Sequence, residues 1–211
     1  MITGVAIVPG ALLLLPDYVG RVDPIPALRE AAQRCVDDAV AGAERIVVIT
    51  SADADPRHSR RAAGERIALH LLGTHPERRP AKVAVLPHHA TDGMVAEISA
   101  VLGSADDPRS PRTALVVVAD GSARRTEKAP GHLHPRAIDF DDALVTALRA
   151  VDLPALRALD ASLADEVMAA GRAPLQVMAA AMGDHTAYTC AELVTDDSLG
   201  VLHVAARFAR R

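Results

Sequence analysis

Four short apolar runs, rich in β-branched residues, are spaced along the first 120 residues of the chain. The predicted strands span residues 3–8, 45–51, 82–86 and 114–119. The second and fourth runs are continuously apolar from Ile46 to Ile49 and from Leu115 to Val118. A continuous apolar run is typical of a strand covered on both faces, as in a parallel sheet. Two weaker strand patterns follow at residues 191–195 and 200–206.

The segments between these runs carry apolar residues at helical spacing. The predicted helices span residues 25–43, 91–102, 140–150, 160–170 and 174–182. In the fourth helix, Asp160 or Ser162 can serve as the N-cap, and Gly171 follows the last residue. Residues 52–64 and 103–112 are predicted as loops. The alternation of strands and helices predicts βαβ units and a mostly parallel sheet, with the closing strands antiparallel at its edge.

The composition favours a single globular domain and argues against a nucleic-acid-binding protein. The chain has 211 residues, half of them hydrophobic, but only 2% are aromatic and none is Trp. Its length suits a single domain, residues 1–211, with a core of small aliphatic side chains. The shortage of aromatic rings argues against a stacking surface for single-stranded nucleic acid. The net charge of −4 argues against a nucleic-acid-binding protein more generally.

The cysteines and the start of the chain bear on its compartment. Cys35 and Cys190 lie far apart on apolar segments and form no Cys-x-x-Cys pattern. Buried free thiols in a reducing cytoplasm are therefore expected. The apolar start has no preceding basic residue and is interrupted by Pro9, which is unlike a secretory signal. No stretch reaches the length of a membrane span without a charge or Pro, so no membrane association is predicted.

Candidate chemistry lies where the predicted strands end, because parallel sheets bind ligands beyond the carboxyl ends of their strands. The most distinctive of these ends is residues 120–128, which follow a buried strand and include Asp120, Ser122, Arg124, Arg125, Glu127 and Lys128. Asp120 and Ser122 can hold or activate a ligand there, while the nearby cations meet an anion. The alternative is a solvated loop whose charges pair with one another. Exposed ion pairs often have no measurable effect, so the presence of many charges by itself favours this alternative.

The same region carries a family resemblance. The sequence DGSAR at 120–124 is followed by APGHLHPR at 129–136 and by DFD at 139–141. Further matches are VPGALLLLP at 8–16, ALD at 158–160 and AGRAP at 170–174. This order is similar to the subunit-B family of class III extradiol ring-cleavage dioxygenases. That family shows an Asp-Leu-Ser-His-Arg motif, Pro-Tyr-Gly and Pro-Arg-Gly stretches, and a Glu-Phe-Asp helix start; the resemblance covers nearly the whole chain.

The resemblance implies a fold and an activity. The fold is an α/β three-layer α/β/α sandwich around a mostly parallel, mixed sheet. Active members of the family bind non-haem Fe(II) through two His and a carboxylate. Another His acts as acid and base while a catechol-type ring is opened with O₂.

This chain departs from the family at the positions that matter for iron. The first His ligand falls on Gly10, the second near Ala52, and the acid/base His on Ala123. The third ligand region falls near Ala170, and the closest carboxylate, Glu166, lies one helical turn earlier. Glycine and alanine offer no donor atom to a metal. We therefore expect no cofactor, and a pocket that binds a small molecule or a partner. The candidate pocket residues are Gly10, Ser51, Asp53, Asp120, Ser122, Arg124, Glu127, Lys128, His132 and His134.

Two alternatives remain open. One is an active oxygenase that holds Fe(II) or another divalent metal through relocated ligands: His132 and His134, which share a side, with Asp53 or Glu166. The other is a structural or assembly subunit that forms a homo-oligomer or joins a partner subunit.

The remaining histidines are weaker candidates for site residues. His88 and His89 are adjacent and point opposite ways in an extended loop. His203 lies in a strand-like run and is interpreted as a hydrogen-bonded core or edge histidine. A hydrolase is not favoured, because Ser122 lacks the second glycine of a Gly-x-Ser-x-Gly elbow, and no dinucleotide or P-loop motif occurs.

Overall fold

The computed structural model describes residues 1–55, 57–74, 76–88, 90–102, 110–183 and 185–211. Its strands are β1 (Ile2–Val8), β2 (Arg45–Ser51), β3 (Ala54–Asp55), β4 (His58–Ala62), β5 (Lys82–Leu86), β6 (Thr113–Val118), β7 (Tyr188–Asp196) and β8 (His203–Arg210). Its helices are α1 (Pro26–Val40), α2 (Ala63–Leu72), α3 (Asp92–Leu102), α4 (Ala137–Ala150), α5 (Leu153–Arg157), α6 (Ala161–Glu166) and α7 (Arg172–Met182).

Six of the strands form one mixed sheet in the order β5-β2-β6-β1-β8-β7. The first four in this order are mutually parallel, β8 is antiparallel to β1, and β7 is antiparallel to β8. The predicted parallel sheet with antiparallel closing strands is therefore confirmed. The short strands β3 and β4 pair separately as a hairpin.

The sheet is covered on both faces, as the continuous apolar strands predict. Every residue of β6 is buried. In β1, Val5 and Ile7 pack into one hydrophobic cluster, while Ala6 and Val8 pack into the other. Helices α1 and α2 contribute to the cluster of Ala6, and helices α3 to α7 contribute to the cluster of Val5. The fold is an α/β sandwich of three layers, helix, sheet and helix, as expected.

The prediction of a loop at residues 52–64 is wrong. The segment contains β3 and β4 and the first residues of α2, a helix that the sequence pattern did not indicate. Ile67 and Leu71 of this helix are buried at the helical spacing of four residues. However, Ala62 precedes the helix and gives no side-chain cap, so the usual start signal is missing.

Two further helix predictions need correction. The helix predicted for 160–170 ends at Glu166, because Met168 adopts a positive φ of 56° that a continuing helix does not allow. The last helix begins at Arg172 instead of Pro174, which still lies in the first turn where no amide donor is required. The short helix α5 was not predicted. Of the loop predicted at 103–112, residues 103–109 lie outside the described residues.

The two cysteines are free, with Cys35 buried and Cys190 partly buried. Burial raises the pKa of the Cys35 thiol to about 12, so the group stays protonated. Among the described residues, no helix combines the length and apolar character required to cross a membrane.

Candidate functional site

The loops after β1 and β6 diverge to opposite faces of the sheet. Helix α1, which follows β1, packs on one face, and helix α4, which follows β6, packs on the other. Adjacent parallel strands whose connections diverge leave a crevice at their carboxyl ends. A cavity of about 170 Å³ lies at this point. It is lined by residues that follow three strands: Gly10 after β1, Asp53 after β2, and Asp120 and Ala123 after β6.

A second, wider cavity of about 440 Å³ adjoins the first. The two cavities share Asp53, Ala123, Met168 and Ala170, and we name the joined space the strand-end cleft. Its walls are mostly small and apolar, and its polar side chains are Thr50, Ser51, Asp53, His88, Asp120 and Asp165. The cleft is therefore of the kind that accommodates a small organic molecule.

Asp120 is the most firmly held polar group of the cleft. Its Oδ1 lies 2.9 Å from Nδ1 of His203, and its Oδ2 accepts a hydrogen bond of 3.0 Å from the amide of Gly10. The side chains are 15% exposed for Asp120 and 6% exposed for His203. One carboxylate thus joins the ends of β1, β6 and β8.

The end of β1 explains why this pair forms. Strand β1 lies between β6 and β8, and it stops at Val8. Beyond that point, Asp120 and His203 form an antiparallel bridge of their own. Burial disfavours the charged imidazole, but the attraction and the hydrogen bond of Asp120 outweigh it, so the pKa of His203 is raised. His203 is indeed a buried, hydrogen-bonded histidine, but its partner lines the cleft, and the sequence pattern did not reveal that connection.

Asp53 carries a second pair on the other side of the cleft. Its Oδ1 lies 2.9 Å from Nε2 of His88, and its Oδ2 accepts a short hydrogen bond from the hydroxyl of Ser51. The Asp53 and His88 side chains are each 43% exposed. Ser51 and Asp53, both predicted as pocket residues, therefore act together, and His88 joins them. His89 lies outside the described residues.

Ser122 and Arg124 stabilise the loop that follows β6. The buried Ser122 hydroxyl donates to the carbonyl of Val167 at 2.8 Å and accepts from the amide of Arg124 at 3.0 Å. The Arg124 guanidinium donates to the carbonyls of Gly131 and Glu166 at 2.7 and 2.9 Å. Because their polar atoms bind the protein itself, these two side chains hold the loop in shape instead of meeting a ligand.

A buried ion pair anchors the same loop to α4. Arg125 donates to Asp141 Oδ2 at 2.7 Å, and the other oxygen of Asp141 accepts from the amide of Ser122, also at 2.7 Å. Arg125 also contacts Asp197, before β8. The charged side chains of this loop therefore bind residues outside it, with Arg125 on Asp141 and Asp197 and Asp120 on His203, instead of pairing with one another.

The remaining candidates lie outside the cleft. Glu127 and Lys128 are exposed and border a separate surface cavity. His132 Nδ1 lies 3.2 Å from the carbonyl of Glu127, and His134 Nδ1 accepts from the amide of Arg136 at 3.3 Å. Arg136 also pairs with the exposed Glu166 at 3.2 Å.

The donor set does not fit the ferrous centre that the family resemblance implies. Within the described part of the chain, no three His, Cys, Asp or Glu side chains are grouped as a metal site requires. The relocated set of His132, His134 and Glu166 is therefore not assembled. A metal-binding side chain at position 10 would also displace Asp120, since a Cβ on Gly10 would lie 2.8 Å from Asp120 Oδ2.

The positions that the resemblance assigns to iron chemistry nevertheless come together. Gly10, Ala123 and Ala170 all line the strand-end cleft, with Ser51 and Asp53 beside Ala52. No model of a known protein family matches the chain, and no curated protein matches it either.

Proposed function

We propose that this chain is a small-molecule-binding protein built on the scaffold of the extradiol dioxygenase subunit-B family, without iron-dependent ring cleavage. The observation that carries the proposal is the strand-end cleft, where two oriented carboxylates and small apolar side chains surround a cavity beyond the ends of β1, β2 and β6. Such a combination of apolar wall and few polar groups is typical of ligand pockets.

The family part of the proposal is supported by the convergence of distant positions. Gly10, Ala123 and Ala170 are separated by more than forty residues from one another in sequence, yet they border one cavity. The resemblance assigns iron ligands or the acid/base residue to these positions. Gly10 and Ala123 follow adjacent parallel strands and are expected to meet, whereas Ala170, between α6 and α7, follows no strand, so its position beside them is what supports the family.

The second part of the proposal, that the chain lacks iron-dependent ring cleavage, rests on which side chains can coordinate a metal. A ferrous facial triad needs two imidazoles and a carboxylate on one face of the metal. Gly10 and Ala170 supply no side-chain donor, and the orientation of the neighbouring Asp120 carboxylate is fixed by His203 and Gly10. What the residues of the cleft can do is exclude water, enclose an apolar body and accept hydrogen bonds from it.

The binding test uses the full chain, labelled with ¹⁵N, and two neutral probes, catechol and benzyl alcohol. We expect saturable shifts of the amide resonances of Gly10, Gly121 and Ala123. Ala123→Leu fills the cleft and should remove these shifts. Ala143→Leu adds the same side chain at an exposed position of α4 and should leave them intact. Cleft resonances that stay unshifted in the unsubstituted protein with these probes and with the charged analogues benzylammonium and benzoate would overturn the proposal.

The catalytic test adds Fe(II) under anaerobic conditions and then measures oxygen uptake with catechol. We expect no uptake above that of free Fe(II), because the chain offers no grouped set of ligands within its described part. Stoichiometric Fe(II) binding together with catechol-dependent oxygen uptake would show a working dioxygenase and would contradict this part of the proposal.

A further inference from the structure

We propose that the strand-end cleft selects compact organic cations, such as primary ammonium compounds, over neutral or anionic molecules of the same shape. This inference rests on the proposed function and names the charge class of its ligand. It follows from an imbalance in the cleft: the two aspartates of its inner cavity can accept further hydrogen bonds, while the amides of Gly10, Gly121 and Ala123 and the nearby guanidinium groups already have partners.

The acceptors are the carboxylates of Asp53 and Asp120, which both line the inner cavity. Asp53 accepts hydrogen bonds from Ser51 and His88, and Asp120 accepts from His203 and Gly10. An ionised carboxylate can accept about four hydrogen bonds. Each therefore retains capacity for a donor on a ligand.

The backbone donors around the cavity bind other parts of the protein. The amide of Gly10 donates to Asp120, that of Gly121 to the carbonyl of Leu202, and that of Ala123 to the carbonyl of Val167. A ligand carboxylate or phosphate would find few free N–H groups at these positions.

The nearby side-chain cations are engaged as well. Among the described residues that line the cleft there is no Arg or Lys. Arg124 donates to backbone carbonyls, and Arg125 pairs with Asp141. The buried Arg172 donates through its terminal nitrogens to Gln176 and to the carbonyls of His88 and Ala90. Its Nε has no partner among the described residues, but Arg172 does not line the cleft. An anionic ligand would thus bring its charge beside two carboxylates without a cation to offset it.

One feature opposes this selectivity. Ala63 and Gly64, the first residues of α2, also line the cavity, and the helix has no side-chain cap. A helix N-terminus carries about half a positive charge. Two ionised carboxylates outweigh this half charge as long as the imidazolium form of His203 does not offset the charge of Asp120. Because the pKa of His203 is raised, the comparison is made at about pH 8.5, where less of this imidazole is charged than at neutral pH.

The experiment measures dissociation constants for benzylammonium, benzyl alcohol and benzoate by calorimetry, with the amide shifts as evidence of the site. These probes share one ring and differ in charge. We expect benzylammonium to bind about tenfold or more tightly than benzyl alcohol, and benzoate to bind more weakly still, because charge-assisted hydrogen bonds are the stronger class. Asp53→Asn and Asp120→Asn keep the side-chain shape, and each should reduce the preference for benzylammonium.

Asp142→Asn removes an exposed carboxylate from α4 and serves as the matched control, with the preference unchanged. Asp53 is partly exposed, so its variant keeps the test valid if Asp120→Asn fails to fold. Equal binding of benzylammonium and benzyl alcohol would overturn the charge selectivity while leaving the pocket in place. Tighter binding of benzoate than of benzylammonium would also overturn the charge selectivity. It would mean that the positive N-terminus of α2 outweighs the two carboxylates of the inner cavity. If none of the probes shifts a cleft resonance, the proposed function itself fails.

Discussion

Two aspartate–histidine pairs flank the strand-end cleft, and they differ in burial more than in geometry. Asp120–His203 and Asp53–His88 each bring a carboxylate oxygen within 2.9 Å of an imidazole nitrogen. The side chains of the first pair are 15% and 6% exposed, whereas both side chains of the second are 43% exposed. The same chemical pair is thus built once into the fold and once at its surface.

The comparison shows how burial assigns different tasks to identical groups. A charge removed from water must be matched by its neighbours, so the inner pair is tied to the integrity of the sheet ends. A pair in contact with water is screened and contributes little to stability. The outer carboxylate of Asp53 can therefore exchange partners with a ligand at small cost, while Asp120 is held in a fixed orientation.

The largest expected effect comes from breaking the inner pair. Asp120→Ala leaves the buried imidazole of His203 and the amide of Gly10 without their partner. We expect the free energy of unfolding to fall by about 3–5 kcal/mol, the usual cost of breaking a buried pair. Urea unfolding of the full chain measures this change.

Asp53→Ala is the matched comparison, because it removes the same side chain from the outer pair. Its expected cost is about 0–1 kcal/mol. Similar losses for the two variants would mean that burial does not distinguish the pairs.

A smaller effect tests how tightly the inner pair is packed. In Gly10→Ala the added Cβ would lie 2.8 Å from Asp120 Oδ2, so the carboxylate must shift away from its partners. We expect a loss of about 1–3 kcal/mol in unfolding free energy, as for other overpacked sites. Gly20→Ala is the control, because its Cβ would meet nothing within 4 Å. An unchanged stability in Gly10→Ala would show that the loop after β1 adapts freely.

The protonation of His203 gives a pH test of the same pair. Its pKa is raised, since the attraction of Asp120 outweighs the burial that disfavours the charged ring. The charged form therefore adds stability that is present below the unfolded pKa, about 6.5, and is lost as the pH rises through the folded pKa. We expect the stability difference between the unsubstituted protein and His203→Gln to shrink from about pH 6 to about pH 9. A difference that grows over this range would contradict the assigned direction.

Hydrophobic pattern was enough to predict most of the fold. The bounds predicted for β2, residues 45–51, are those of the structure, and its apolar run from Ile46 to Ile49 is that of a strand covered on both faces. The hydrophobic pattern predicted the wrong structure where the residues that usually mark the start or end of a helix were missing. Helix α2 has no capping side chain at Ala62. The turn after α6 depends on a positive φ at Met168, a conformation that the sequence usually signals with a glycine.

The candidate site was less accessible to sequence reasoning. Gly10, Ser51, Asp53 and Asp120 were found because they directly follow predicted strands, and all four line the cleft. His203 was not recognised as part of this site, since its contact with Asp120 spans 83 residues. That contact depends on where β1 stops between its neighbours, which is a property of the assembled sheet.

The smallest expected effect concerns the outer histidine. His88→Gln keeps a polar side chain near Asp53 but removes the imidazole that lies 2.9 Å from its Oδ1. Because the pair is nearly half exposed, we expect a change of about 0.5 kcal/mol or less in the free energy of unfolding. The hydrogen bond from Ser51 still orients Asp53, so the cleft should keep its carboxylate in place. A loss approaching that of Asp120→Ala would instead place His88 in the structural framework, and the distinction between an inner and an outer pair would then disappear.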